Sequence, residues 1–271
     1  MLRPYLAVLS ARFQLVLQYR AAALAGFATQ CWWGGMKVLI YSAFYAGARA
    51  APMSFAHTVS YTWLGQAFLM FLPWYADPEV ADMVRTGAVA YERLRPVDAW
   101  GWWYARALAW TAARIAPRAG LMFVTAAVIM PLVGLGRWGL RLPADGAAVA
   151  LFCAAILAAA LLSATMTVLL NVVVAASLTD RGANAFAAPI SIVLSGSLVP
   201  LAFFPHAFVP FLRLQPFAGL IDTPFRVWNG ELAGLNAVGA IGLQLAWTLV
   251  LGILGRCAVE SVMSRVQVQG G

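Results

Sequence analysis

Serine and histidine side chains in the segment around residue 200 are the first candidates for covalent chemistry. Ser195 and Ser197 flank Gly196, and His206 follows in the same segment. A serine hydroxyl becomes a nucleophile when a histidine within hydrogen-bond reach takes its proton, so this spacing allows a serine hydrolase that uses Ser197 and His206. Small residues at this spacing also let two helices approach closely, and we favour that structural interpretation.

Polar side chains inside apolar stretches are the second group of candidates. Lys37 is the only lysine and interrupts an apolar stretch, where a charge is costly and often functional. Ser163, Thr167 and Asn171 recur every four residues and therefore share one face of a helix. All four side chains are candidates for lining a polar path. The favoured alternatives are a structural or snorkelling role for Lys37 and hydrogen bonds from the stripe to a neighbouring helix.

Arginines at helical spacing form the third group. Arg106, Arg114 and Arg118 share one face with Trp110. Arginines near a membrane surface attract anionic headgroups, and tryptophan is enriched at membrane interfaces. This pattern therefore predicts contact with membrane lipid rather than catalysis.

Motifs for cofactors and metals are missing from the sequence. It has no G-x-x-x-x-G-K-[ST] phosphate loop, so we expect that the chain does not itself hydrolyse ATP in that manner. Cys31, Cys153 and Cys257 lack the C-x-x-C spacing of a metal site, and His57 and His206 are poorly placed for haem. We expect this chain to bind no cofactor and no metal, and any ATP-driven role to need a partner that holds ATP and magnesium.

The composition excludes a water-soluble enzyme. Hydrophobic residues make up 63% of the 271 residues and charged residues only 10%, against roughly 25% charged in soluble domains. The mean hydropathy of +0.81 shows that the apolar excess runs along the whole chain. We expect an all-α polytopic membrane protein, and we interpret the excess of basic residues as a topology signal rather than as nucleic-acid binding.

Stretches almost free of charge predict six transmembrane helices. An amphipathic interfacial helix over 1–20 precedes them, and 21–271 forms a single six-span domain. Most arginines then lie on one side, which by the positive-inside rule places both termini in the cytoplasm. The predicted spans are 21–48, 50–76, 119–136, 146–179, 182–212 and 232–255.

Two connections differ from short turns. The first cytoplasmic loop, about 77–118, begins with Asp77 and Pro78, which are typical of a helix start, and Gly87 is a plausible stop. These residues predict a short helix over 78–86, and Asp98 is positioned to cap the next helix. The outer segment, about 205–231, is predicted to form short broken helices that re-enter the membrane edge, because it is rich in proline.

Two segments resemble the type-2 ABC exporter permeases of bacteria, and the resemblance covers nearly the whole chain. In the first segment, 83–98, the shared residues are Arg85, Gly87, Leu94, Arg95 and Pro96. In the second, 194–231, they are Ser195, Gly196, Pro200, Phe204, Pro205, Pro216, Phe217 and Gly230.

The resemblance implies a half-transporter in the bacterial inner membrane. A second six-span permease, more often a paralogue than a copy, would complete the path, and two ABC ATPase subunits would dock beneath. The helix over 78–86 would be the coupling helix, and the outer segment with Pro205, Pro216 and Phe217 would lie below the exit. The residues implied in ATPase coupling are Arg85, Gly87, Glu92, Arg93, Arg95 and Pro96.

The resemblance implies a translocation path but does not identify the residues that line it. Lys37, Ser163, Thr167 and Asn171 match no family motif and are path candidates from their polarity alone. A membrane-embedded serine hydrolase and a non-transporting scaffold subunit are the alternative functions. The sequence does not identify the cargo.

Overall fold

The computed structural model describes residues 3–18, 20–48, 50–94 and 97–265, without the side chains of residues 16, 17, 20, 22, 93, 94 and 265. All regular secondary structure in this part of the chain is helical. Its helices are α1 (Arg3–Gln18), α2 (Arg20–Gly47), α3 (Phe55–Ala67), α4 (Pro78–Arg85), α5 (Ala99–Leu132), α6 (Gly146–Ser177), α7 (Arg181–Leu194), α8 (Val209–Leu214), α9 (Asp222–Trp228) and α10 (Gly234–Arg265).

Three of these helices are long and apolar enough to cross a membrane. They are α5, α6 and the Gly234–Ser264 part of α10. α6 and α10 agree with the predicted fourth and sixth spans, and α2 coincides with the predicted first span without meeting the same criterion. The all-helical class and the membrane-spanning character are therefore supported, and the count of six spans remains a prediction.

The third predicted span starts too late. α5 begins at Ala99 rather than at residue 119, because Asp98 caps it: the Asp98 Oδ2 accepts a hydrogen bond from the Gly101 amide at 2.7 Å. The helix continues through Pro117 and through a π-helical stretch over Val124–Ile129. The loop predicted over 77–118 thus ends at residue 98, and the predicted cap is confirmed.

The second and fifth predicted spans are not continuous helices. α3 has 13 residues and α7 has 14, which rise about 20 Å each, against a hydrocarbon layer of about 30 Å. α7 ends before Gly196, whose φ of +83° cannot continue a right-handed helix. The broken outer region therefore starts at residue 195, ahead of the predicted boundary at 205.

α6 lies at the centre of the packing. It contacts α5, α10, α9 and α4, while α1 packs along α5 and α2 packs on α3 and α5. The main core surrounds stacked aromatic side chains such as Phe68, Phe71 and Phe225. A second, smaller core forms under α4. This core packs α4 against the long helices.

Candidate functional site

The short helix predicted in the first loop is present as α4. The Asp77 Oδ1 accepts a hydrogen bond from the Glu79 amide at 3.0 Å, and Pro78 occupies the first turn. The helix ends at Arg85, one residue before the predicted end, and the chain then turns through Gly87 with φ of +75°. The positive φ explains why glycine stands at this position.

One face of α4 is buried and the other is open. Val80 and Val84 are buried in the small core, together with Trp103 of α5 and Val168 of α6. On the open side the Arg85 and Asp82 side chains form an exposed ion pair at 2.5 Å. Tyr91, in the 3-10 helix Ala88–Leu94 that follows, is 65% exposed. The chain thus presents a charged and aromatic surface on a firmly packed helix.

Four charged side chains meet at the start of α4, and we call this group the charged junction: Arg12, Asp77, Glu79 and Arg106. The Arg106 Nη2 lies 3.1 Å from the Asp77 Oδ2 and 2.5 Å from the Glu79 Oε2. The Arg12 Nη2 lies 3.5 Å from the Asp77 Oδ2 and also contacts Glu79. The Arg106 and Asp77 side chains are only 6% and 2% exposed, so these charges depend on one another for compensation.

Two asparagines extend the charged junction to the next helices. The Asn171 Oδ1 of α6 accepts a hydrogen bond from the Asp77 amide at 2.8 Å. The Asn184 Oδ1 of α7 accepts one from the Ala76 amide at 3.0 Å. The start of α4 is therefore bonded to α1, α5, α6 and α7, and a shift of α4 acts on all four helices at once.

The predicted coupling residues are only partly brought together. Arg85 is exposed, whereas Glu92 is buried and accepts a hydrogen bond from the Trp103 Nε1 at 3.2 Å. The main chain of Arg93 belongs to the 3-10 helix Ala88–Leu94. Arg95 and Pro96 lie outside the described residues.

The sequence interpretation missed the charged junction. Arg106 was grouped with Arg114 and Arg118 as a lipid contact, but it pairs with Asp77 and Glu79. The prediction for Arg106 is therefore wrong. Helical spacing gives no sign of this pairing, because the partners lie in another element.

The polar stripe on α6 is buried and bonds parts of the chain to each other. The Ser163 hydroxyl donates to the Phe71 carbonyl at 2.6 Å, and the Thr167 hydroxyl donates to the Ser163 carbonyl at 2.9 Å. Asn171 accepts from Asp77 as described above. These contacts match the alternative of hydrogen bonds to a neighbouring element rather than an open path within this chain.

Lys37 lies away from that stripe. Its Nζ donates a hydrogen bond to the Ser197 carbonyl at 2.8 Å, just past the end of α7. The Ser197 carbonyl lies in irregular backbone beyond the helix, where a polar group among apolar residues needs a hydrogen-bond partner. This contact gives Lys37 a structural role at the break in the fifth predicted span.

The outer segment consists of short broken helices, as its prolines predicted. Pro205 is exposed, and Pro216 begins a 3-10 helix in which the Phe217 amide donates to the Gln215 Oε1 at 2.8 Å. Further along, the buried Asp222 accepts a hydrogen bond from the Tyr61 hydroxyl at 3.3 Å, and its Oδ2 lies 3.7 Å and 3.8 Å from Arg213 and Arg226.

Asp222 is the most perturbed carboxyl of this outer segment. Burial raises the pKa of Asp222 to about 6, although Arg226 and Arg213 act in the opposite direction. The group is therefore poised between its neutral and charged forms near neutral pH. Its contacts with Tyr61 of α3 and with α8 and α9 join the broken helices to the main core.

The candidate serine hydrolase residues do not form a pair in the described part of the chain. The Ser195 hydroxyl bonds to the Ile192 carbonyl at 3.4 Å and accepts from the Ser197 amide at 3.2 Å. His206 is exposed, and no described hydrogen bond joins it to either serine. Among the described residues, no group of three His, Cys, Asp or Glu side chains is arranged to hold a metal ion.

No family model, no curated protein and no solved structure matches the chain. The described part of the chain is all-helical and includes three helices long and apolar enough to cross a membrane. Its distinguishing feature is a short capped helix that exposes one face, buries an apolar face, and is ion-paired at its start to α1 and α5.

Proposed function

We propose that the chain is the transmembrane permease subunit of an ATP-driven ABC exporter. The observation that supports this most is α4: a short helix with an exposed face, fixed to α1, α5, α6 and α7 by the charged junction. The resemblance of 83–98 and 194–231 to type-2 exporter permeases supports the same function.

The exposed face of α4 is the docking surface in this proposal. Asp82, Arg85 and Tyr91 contact a separate ABC ATPase, which binds ATP and magnesium. Closure of two ATPase subunits displaces α4, and the charged junction passes this displacement to the spans as a rigid-body shift. A packed junction is suited to that task, because close-packed elements move as units rather than deform continuously.

The remaining parts of the proposal follow from the same class of transporter. The proposed protein has six spans and cytoplasmic termini and lies in the bacterial inner membrane. It pairs with a second permease that is a paralogue or a copy. The coupling roles of Arg93, Arg95 and Pro96, and a path that includes Lys37 or the α6 stripe, are predictions of the same kind. α1 then lies at the cytoplasmic side, packed along α5.

Changing exposed side chains of α4 and of the 3-10 helix that follows it is expected to separate the chain from its ATPase. In the combined variant Arg85→Glu with Tyr91→Ala, we expect the amount of ATPase activity retained by the affinity-purified full-length chain to fall about tenfold or more, since exposed aromatic and arginine side chains dominate interfaces. The measurement is magnesium-dependent ATP hydrolysis in the eluate from gently solubilised native membranes, with mass spectrometry to identify the retained subunit.

Arg137→Glu is the matched control, because it makes the same charge change at another exposed arginine, beside Phe55 and far from α4 in sequence. Equal retention in the α4 variant and the control contradicts docking at α4. An ATPase that is retained but never drives vesicular transport identifies a scaffold subunit instead. Labelling by a serine-reactive phosphonate that is lost in Ser197→Ala identifies the hydrolase.

The proposed orientation is tested by cysteine accessibility. With Cys31, Cys153 and Cys257 replaced by alanine, we expect a membrane-impermeant maleimide to label Leu142→Cys in intact spheroplasts and Thr86→Cys only after permeabilisation. Both positions are exposed, so burial does not decide the result. The reverse pattern places α4 outside the cell and overturns the proposal, because ATP is cytoplasmic.

A further inference from the structure

Two arginines on α5 remain without an acidic partner after Arg106 joins the charged junction. Arg114 and Arg118 are half-buried, and neither forms an ion pair with any acidic side chain in the described part of the chain. They lie one helical turn apart on the same face. A pair of like charges held this closely is unfavourable unless an anion compensates them.

Aromatic side chains fix the first of these arginines. The Arg114 guanidinium carbon lies 4.8 Å from the ring centre of Trp110 and 5.6 Å from that of Tyr75. The two rings are themselves in contact, with 5.6 Å between their centres. Cation–π contacts of this kind orient a guanidinium while leaving its N–H groups free to bind oxygen.

A glycine on α2 makes room for the Arg118 guanidinium. The Arg118 Nη2 lies only 2.7 Å from the position that a Cβ on Gly26 of α2 would occupy. Any larger residue at position 26 would push this guanidinium away. Arg118 therefore lies at the seam between α2 and α5, which pack against each other, and Arg114 lies one turn further along α5 beside Tyr75.

The depth of the pair along α5 places it at the inner side of the membrane. From Leu132, the far end of α5, the rise is about 27 Å to Arg114 and about 21 Å to Arg118 at 1.5 Å per residue. The hydrocarbon layer is about 30 Å thick. When Leu132 lies at the outer boundary, the backbone of Arg114 is about 3 Å and that of Arg118 about 9 Å from the cytoplasmic boundary, where long arginine side chains extend to the headgroups. This step rests on the orientation given under the proposed function.

We propose that Arg114 and Arg118, on one face of α5, form a binding site for the phosphate group of an anionic phospholipid of the inner leaflet. Guanidinium groups bind phosphate oxygens through paired hydrogen bonds. Trp110 and Tyr75 suit the interfacial depth, where aromatic rings are enriched. The lipid neutralises two charges that have no acidic partner among the described residues.

The test measures lipid binding to the purified full-length chain in neutral detergent, without any partner subunit. Native mass spectrometry counts bound phosphatidylglycerol and phosphatidylcholine. We expect the unaltered chain to prefer phosphatidylglycerol, and Arg114→Gln with Arg118→Gln to weaken that binding about tenfold. Arg137→Gln with Arg181→Gln removes two exposed positive charges elsewhere and is expected to leave binding unchanged.

A second variant separates binding from folding. Arg114→Lys with Arg118→Lys retains both charges, and we expect it to keep most of the preference for phosphatidylglycerol and the unfolding midpoint of the unaltered chain. Unchanged phosphatidylglycerol binding in the glutamine variant overturns the proposal, as does equal binding of the two lipids. Displacement of the lipid by millimolar inorganic phosphate identifies a site for free phosphate instead. Because no ATPase is present, failure here is distinct from failure of the exporter proposal.

Discussion

Replacing Arg106 with alanine is expected to destabilise the protein by about 3 kcal/mol or more, the usual loss when one partner of a buried ion pair is removed. Arg106 bonds to both Asp77 and Glu79, and its side chain and that of Asp77 are almost completely buried. Without Arg106, the one ion pair left to the Asp77 carboxylate among the described residues is the longer contact with Arg12, at 3.5 Å. The free energy of unfolding, obtained from denaturing-detergent titration in mixed micelles, measures the loss.

Arg85→Ala is the matched control for that experiment. It removes the same kind of side chain from an arginine that also pairs with an aspartate, but its ion pair with Asp82 is exposed, at 80% and 58% of the two side chains. Exposed pairs contribute about 0 to 1 kcal/mol. Losses of equal size in the two variants would mean that burial of the charged junction does not contribute to stability.

Local rules of helix ends could be read correctly from the sequence. Asp77 and Asp98 both cap the helices that they were predicted to cap, with hydrogen bonds at 3.0 Å and 2.7 Å. A cap depends on residues within one turn of each other, so no knowledge of the tertiary structure is needed. The same holds for Gly87 and for the proline-broken outer segment.

The sequence did not predict in the same way whether each span is one continuous helix. The segment 50–76 contains no Asp, Glu, Lys or Arg, yet the helix stops at Ala67, and Ser163 from α6 satisfies the Phe71 carbonyl that is left free. Lys37 bonds to the Ser197 carbonyl after the break at the end of α7. Irregular backbone is tolerated among apolar residues when other parts of the chain supply its hydrogen bonds, and hydropathy contains no information about those partners.

The charged junction likewise could not be predicted from the sequence. Arg106, Arg114 and Arg118 are separated by multiples of four residues, a spacing that predicts a common role, but of the three only Arg106 lies beside Asp77 and Glu79. Arg12 reaches these carboxylates from the other end of the sequence. The sequence does not show that these four residues meet, because the packing of α1 on α5 brings them together.

Replacing Gly196 with alanine is expected to cost about 3 kcal/mol and to loosen the break between α7 and the outer segment. Its φ of +83° is unfavourable for any residue with a Cβ, by about 1 to 2 kcal/mol. The added Cβ would also lie 2.5 Å from the Tyr61 hydroxyl and 3.3 Å from the Leu201 backbone nitrogen. Overpacking of this kind costs about 1 to 3 kcal/mol.

Gly134→Ala separates these two contributions. Gly134 has nearly the same φ, +81°, but no atom lies within 4 Å of an added Cβ, so we expect a loss of about 1 kcal/mol from the backbone alone. The same detergent titration measures both variants. If both variants lose the same free energy of unfolding, the Tyr61 side chain moves away from the added Cβ at no energetic cost. That result contradicts a fixed contact between Tyr61 and Asp222. A larger loss in Gly196→Ala means that this hydrogen-bonded pair holds the broken segment against α3.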